Sequence, residues 1–338
     1  MFSIKKYNTL FLFMLLVAFT SCENGKKAQK KTKQIDQTEI LDLQIPIFNG
    51  DSAFAYVAAQ TVFGPRVPNT KAHKRGADYL IEKLKQYADT VVVQEFQAWA
   101  FDGTLLNGKN IVGSFNTEKK KRVFLSSHWD SRPFADHDPD EANHHTAIDG
   151  ANDGASGVGV LIEMARLMQI ERPEIGVDII LFDLEDYGTP EFATRTSNSE
   201  ETWGLGSQYW ALNPHVLDYT AQYGILLDMV GAKDAVFRRE NFSIKYAPQI
   251  VKKVWKIAAN AGYGDYFLME NGFSVLDDHY FINRNANIPT IDIIQHNSNS
   301  EFGFYEHWHT LKDNLENIDK ETLKAVGQVV TEVVYRER

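Results

Sequence analysis

The chain has 338 residues, 43% of them hydrophobic and 24% charged, enough apolar material for one large domain or two small ones. A formal net charge of -10 argues against a nucleic-acid surface. Its single cysteine, Cys22, excludes an intrachain disulfide.

Lys5 and Lys6 precede an apolar run, Leu10 to Phe19, that closes on Thr20-Ser21-Cys22. Residues 1–21 therefore read as a signal peptide. The cysteine's placement resembles a bacterial lipoprotein signal, in which that residue is lipidated and begins the mature chain; a plain secretory signal is the alternative. Export follows either way, and the lipoprotein reading places the mature chain on the periplasmic face of a bacterial membrane, anchored through Cys22. Residues 22–45, with Lys26, Lys27, Lys30, Lys31 and Lys33, form a polar tether. Residues 46–338 form a single domain, with no later apolar run long enough to span a bilayer.

Asp51-Ser52 is positioned to cap a helix through Val62, ended by Gly64-Pro65, and a second helix is predicted over Thr70–Tyr87. Three strand-like runs follow, Val91–Trp99, Asn110–Phe115 and Val123–Ser127. Val177–Leu184, Gly224–Val230 and Thr290–Ile294 are near-continuous apolar runs, as strands covered on both faces require. Helices are predicted after Gly157, at Ser207–Leu212, at Ala247–Ala261 and at Glu321–Tyr335. Alternating strands and helices give an α/β fold with a mixed, mostly parallel central sheet flanked by helices.

In such sheets ligands bind beyond the carboxyl ends of the strands. The chain leaves its predicted strands at His128-Trp129-Asp130, at Asp183-Leu184-Glu185-Asp186 and at Asp228, and it reaches the last helix through His307-Trp308-His309. The stretch Asp149-Gly150-Ala151-Asn152-Asp153-Gly154-Ala155-Ser156-Gly157 sets two aspartates among glycines. On its own it reads equally as a metal loop or as a helix cap. Buried acids are costly unless paired or metal-bound, so this many at one edge marks a site. His137, His144 and His145 fall in an acidic loop, Ser131–Ile148, and read as solvated; Asp138 and Asp140 there offer a weak calcium site.

These motifs, together with Leu227-Asp228-Met229, resemble the zinc aminopeptidase (M28-like) family. Val275-Leu276-Asp277-Asp278-His279 and the run Trp308–Asp319 are similar to the animal-type glutaminyl cyclases within it, and to their bacterial, Bacteroidetes-type counterparts. The resemblance implies an α/β/α sandwich and one zinc per chain, held by Asp153, Asp186 and His309. It implies Glu185 as general acid/base, with Asp228 and Asp277 completing a hydrogen-bonded network. Trp308, Phe304 and His128 are then placed on the substrate side. The implied reaction closes the N-terminal glutamine of peptides and proteins to pyroglutamate, releasing ammonia, in an enzyme expected to be a monomer. His128 stands where the aminopeptidases hold a second zinc, so a di-zinc aminopeptidase is the rival enzyme. A peptide-binding lipoprotein without turnover is the non-enzymatic rival. The cyclases' tryptophan just after the acidic pair is absent; Thr189-Pro190-Glu191-Phe192 stands there, before a longer loop to Trp203.

Overall fold

The computed structural model describes residues 44–338, which belong to one compact unit. The signal peptide, Cys22 and nearly all of the tether lie outside the described residues. No helix among those described is long and apolar enough to cross a membrane.

The chain opens with two helices, α1 (Gly50–Thr61) and α2 (Lys71–Tyr87). The α1 cap is Asn49, whose side chain accepts the Ser52 N–H at 3.0 Å, rather than the Asp51-Ser52 pair expected. Strands β1 (Thr90–Trp99) and β2 (Leu105–Phe115) then form a hairpin. They lead to β3 (Arg122–His128), α3 (Ala155–Ile170), β4 (Gly176–Phe182), α4 (Leu205–Leu212) and β5 (Gly224–Asp228). A short β6 (Phe237–Arg239) precedes α5 (Asn241–Tyr246) and α6 (Pro248–Asn260). Strand β7 (Phe267–Asn271), α7 (Asp278–Asn285), β8 (Thr290–Ile294) and α8 (Lys320–Tyr335) complete the chain.

Six strands form the main sheet in the order β1-β2-β4-β3-β5-β8. The hairpin pairs antiparallel with its neighbours, whereas β4, β3, β5 and β8 run parallel. The mixed sheet agrees with the expectation from the apolar runs. Its buried strands β4, β5 and β8 have no exposed residue, as parallel strands covered by helices require.

Helix α3 lies in the main core between the sheet and helices α1, α2 and α8, and of its residues 155–168 only Arg166 is not buried. Close approach explains its glycines. A Cβ on Gly157 would stand 2.3 Å from the Leu227 carbonyl oxygen, and one on Gly159 would stand 2.6 Å from Val57. The glycines of the central stretch therefore seat the helix on the strand ends as well as shaping the loop before it.

Two apolar runs overreach their strands. β4 stops at Phe182 and β5 at Asp228, while Leu184, Met229 and Val230 stay buried in the turns beyond. These turns carry the chemistry.

Candidate active site

Parallel pairing brings the carboxyl ends of β4, β3, β5 and β8 to one edge of the sheet. There β3 ends on His128 and β5 on Asp228, while β4 gives way to Asp183–Asp186. Sharp turns aim these side chains. Leu184 (φ 58°), Met229 (φ 47°) and His309 (φ 56°) all adopt the left-handed conformation, which costs a non-glycine residue about 1–3 kcal/mol and concentrates at functional sites. Leu184 is held there by Asp183, whose Oδ1 accepts its N–H at 2.9 Å. Asp183 is itself bound by His73 Nε2 at 2.9 Å.

Two buried carboxylates fix the backbone under the candidate ligands. Asp130 accepts the N–H groups of Glu185 (3.1 Å) and Asp186 (3.2 Å), one on each oxygen. Asp313 does the same for Asn152 (2.8 Å) and Asp153 (3.0 Å). Burial, with Asp153 nearby, pushes the Asp313 carboxyl up to about 8. Each fork fixes a pair of successive backbone units, and with them the directions of the side chains they carry.

The result is a compact donor set. His309 Nε2 lies 3.4 Å from Asp186 Oδ1 and 3.5 Å from Asp153 Oδ2. One ligand atom from each of the three residues falls within 4.8 Å of the others. Asp186 is buried, and neither carboxylate oxygen accepts a hydrogen bond. A carboxylate that accepts no hydrogen bond, with Arg132 Nη1 3.5 Å from its Oδ1, and that faces an imidazole and a second carboxylate suits a divalent cation with oxygen and nitrogen ligands, zinc among them. On its far side, His309 Nδ1 lies 3.4 Å from Asp136 Oδ1, the carboxylate–histidine arrangement common behind metal ligands. Arg132 grips Asp136 through two contacts of 2.7 Å and donates to the Asp186 carbonyl at 3.0 Å. Burial and Asp153 hold the Asp186 carboxyl up at about 6, against the pull of His309.

A second group, His128, Asp153 and Asp228, shares Asp153 with the first. His128 Nε2 lies 3.0 Å from Asp153 and 3.2 Å from Asp228. Burial opposes a charge on His128, but Asp130, Asp153 and Asp228 together raise its proton affinity well above the ordinary value. Its side chain is 1% exposed and lies behind the two carboxylates, not on the cavity wall. His128, expected on the substrate side, is not among the residues that line the cavity and contacts Asp153 and Asp228.

A cavity of about 290 Å³ opens over the site. Glu185, Asp228 and Asp277 line it beside the donor set, with Phe304 and Trp308 in its wall. The Glu185 carboxylate accepts no hydrogen bond from the described residues. Burial, with Asp277 and Asp186 nearby, raises its proton affinity well above the ordinary range. Burial likewise lifts Asp228 to about 7. His307 does not join them; its ring pairs with Glu306 at 3.3 Å.

Trp203, beyond the longer loop, lines the cavity. It packs on Gly188, where a Cβ would stand 2.0 Å away, under the Arg132 guanidinium at 4.6 Å. Its ring lies parallel to His309, with centroids 6.0 Å apart. Met229, Phe273, Val275 and Ile294 complete the wall. Ile294 was legible only as a strand residue, Met229 as a strand residue within the Leu227-Asp228-Met229 motif, and nothing in the local sequence marks Phe273.

The acidic loop is less solvated than expected. The His137 side chain is 4% exposed, stacked on Phe302 at 3.9 Å and set edge-on to Trp308 at 4.4 Å. Burial and His309 lower its proton affinity to about 3. Asp138 accepts the N–H groups of Asp140 and Leu311 and the Asn143 amide, which uses its oxygens as turn acceptors rather than calcium ligands.

The model of peptidase family M28 matches residues 110–334. The chain belongs to peptidase family M28. Among M28-like structures, it is 55% identical to Bacteroides thetaiotaomicron glutaminyl cyclase, covering 87% of this chain and 100% of that one at a TM-score of 0.85. A Zn-dependent exopeptidase from Parabacteroides distasonis gives the same identity, coverage and TM-score. Aminopeptidase YwaD of Bacillus subtilis is 26% identical over 80% of this chain, which spans about half (54%) of that relative's length. The M28 match agrees with the resemblance read from His128-Trp129-Asp130, Asp153, Glu185-Asp186 and His309.

Proposed function

We propose that this M28 chain is a zinc-dependent glutaminyl-peptide cyclotransferase, converting N-terminal glutamine to pyroglutamate with release of ammonia. The observation that carries the reading is a carboxylate free of hydrogen bonds from the described residues, Glu185, lining one apolar-walled cavity with the Asp153–Asp186–His309 donor set and Asp277. The high identity to the Bacteroides cyclase supports it.

Asp153, Asp186 and His309 would hold one zinc ion, which supplies Lewis-acid polarisation of the γ-carbonyl. Glu185 takes a proton from the substrate's own α-amine as that nitrogen bonds to the γ-carbon. It returns the proton to the amide nitrogen as the carbon–nitrogen bond breaks and ammonia departs. A buried carboxylate with raised proton affinity suits both transfers. Asp277 holds the departing nitrogen. Trp308, Phe304 and Trp203 wall the folded side chain and exclude water, which this reaction does not need as a nucleophile.

One observation favours a second reading, a di-zinc aminopeptidase: the His128–Asp153–Asp228 group shares a carboxylate with the first. There His128 Nε2 lies 3.0 Å from Asp153 and 3.2 Å from Asp228. Incubating the zinc-loaded protein with a glutaminyl peptide is expected to yield a pyroglutamyl peptide and free ammonia. Cleavage of leucyl-p-nitroanilide with no ammonia from the glutaminyl peptide would reverse the order of the two readings.

Phe19-Thr20-Ser21-Cys22 supports export as a lipoprotein, with the domain held at a membrane by Cys22. Metabolic fatty-acid labelling is expected for the full chain in a bacterial host and is lost in Cys22→Ala. Equal labelling of both would contradict the anchor.

A further inference from the structure

Glu240 lies in the turn between β6 and α5, outside the cavity, and is 0% exposed. Its carboxylate accepts five hydrogen bonds. Oε1 takes the N–H groups of Phe242 (2.7 Å) and Val275 (3.0 Å). Oε2 takes Ser243 N–H (2.5 Å), Ser243 O–H (2.7 Å) and His279 Nε2–H (3.0 Å).

Capping a six-residue helix does not call for this arrangement. A serine or asparagine would satisfy the two amides of α5 without burying a charge. The remaining partners explain the glutamate. Val275 lines the cavity and His279 opens α7, so the two grips bracket Asp277. The backbone repeats the attachment on the same segment, with Gly272 N–H on the Arg239 carbonyl at 2.8 Å and Asn241 N–H on the Phe273 carbonyl at 3.2 Å. Ser243 extends it to β8, its hydroxyl oxygen accepting the Asp292 N–H at 2.9 Å. Burial opposes ionisation of Glu240, yet His279 and the amides bring its carboxyl down to about 2, so the anchor stays anionic. Asp277 itself is less firmly held: the hydrogen bond on its Oδ1 comes from the adjacent Asp278 N–H, and its carboxylate lies in a buried cluster with His279 and Asp292, ligand atoms of all three within 4.8 Å of one another.

We propose that Glu240 is the positioning residue for Asp277, holding the 272–279 wall so that this acid meets the departing amide nitrogen. The proposal rests on the cyclotransferase reading. Glu240→Gln keeps the shape but, whichever way the amide is turned, sets its N–H₂ against a backbone N–H of Phe242, Val275 or Ser243, which can only donate. In the full zinc-loaded chain it is expected to lower kcat by about 10–100-fold, as small misplacements of reacting groups do. Zinc content and the circular dichroism spectrum should match wild type. Introduced into Asp277→Asn, the same substitution is expected to cost less than about threefold, because residues acting as a unit are not additive. Wild-type kcat in Glu240→Gln, or an equal loss with and without Asp277, would overturn the proposal. If Glu240→Gln does not fold, Ser243→Ala removes one of the five partners, and the same pair of outcomes decides. Failure of the cyclotransferase reading is distinct: wild type would then release no ammonia, and the cycle is read on the aminoacyl substrate it does cleave.

Discussion

Glu185→Gln is expected to lower turnover of glutaminyl peptides by about 10²–10⁴-fold, the range for a positioned proton carrier, while zinc stays bound. The substitution conserves size and leaves the backbone clamp intact, since Asp130 holds Glu185 and Asp186 through their N–H groups. The proposed metal ligand beside it, Asp186, is therefore not displaced. Glutamine can neither take the proton from the α-amine nor return it to the leaving nitrogen. Because the carboxylate accepts no hydrogen bond from the described residues, no buried donor is orphaned and stability should change little. Turnover and zinc content measured on one preparation check this. Retained turnover removes Glu185 from the proton transfer, and lost zinc makes it part of the metal site.

The second large effect is expected at His309. His309→Ala removes the nitrogen ligand and leaves Asp153 and Asp186 facing each other across a buried gap. Zinc affinity should fall by more than the roughly 10–100-fold that follows loss of an outer partner of a metal ligand, and activity should fall with it. His307→Ala, two residues away, should keep both, because that ring pairs with Glu306 instead. Chelator competition on the two variants separates them. Zinc lost from His307→Ala and kept by His309→Ala would mean that the wrong imidazole has been placed on the metal.

The acids at the strand ends were legible from the residues, whereas the proposed metal ligands and proton carrier came from the resemblance that Asp153, Glu185-Asp186 and His309 carry. A run such as Ile179–Phe182 followed at once by acids reads as a buried strand delivering charge to an edge, and the parallel pairing of β3, β4 and β5 places those edges together. What supports them was much less visible. Asp130, Asp313 and Glu240 act on backbone N–H groups, which are the same for every residue type and leave no side-chain pattern to find. Trp203 reaches the cavity from beyond a loop, in contact with Gly188, Arg132 and His309, and only the folded chain reveals that it meets them. His137 reads as solvated among acidic neighbours, and its burial comes from Phe302 and Trp308, far along the chain. Leu184 and Met229 extended the predicted strands because hydrophobicity reports burial and is silent on a positive φ. Helix α7 was missed for the opposite reason, since its first turn, Asp278-His279, is polar yet fully buried.

Anomalous scattering at the zinc edge from crystals of the zinc-loaded protein tests the central claim most directly. The expected map holds one peak per chain, within bonding distance of Asp153, Asp186 and His309, with Glu185 beside it and no peak between His128 and Asp228. A map without density at that triad, or with a second full peak against His128, would contradict the single-metal cyclotransferase.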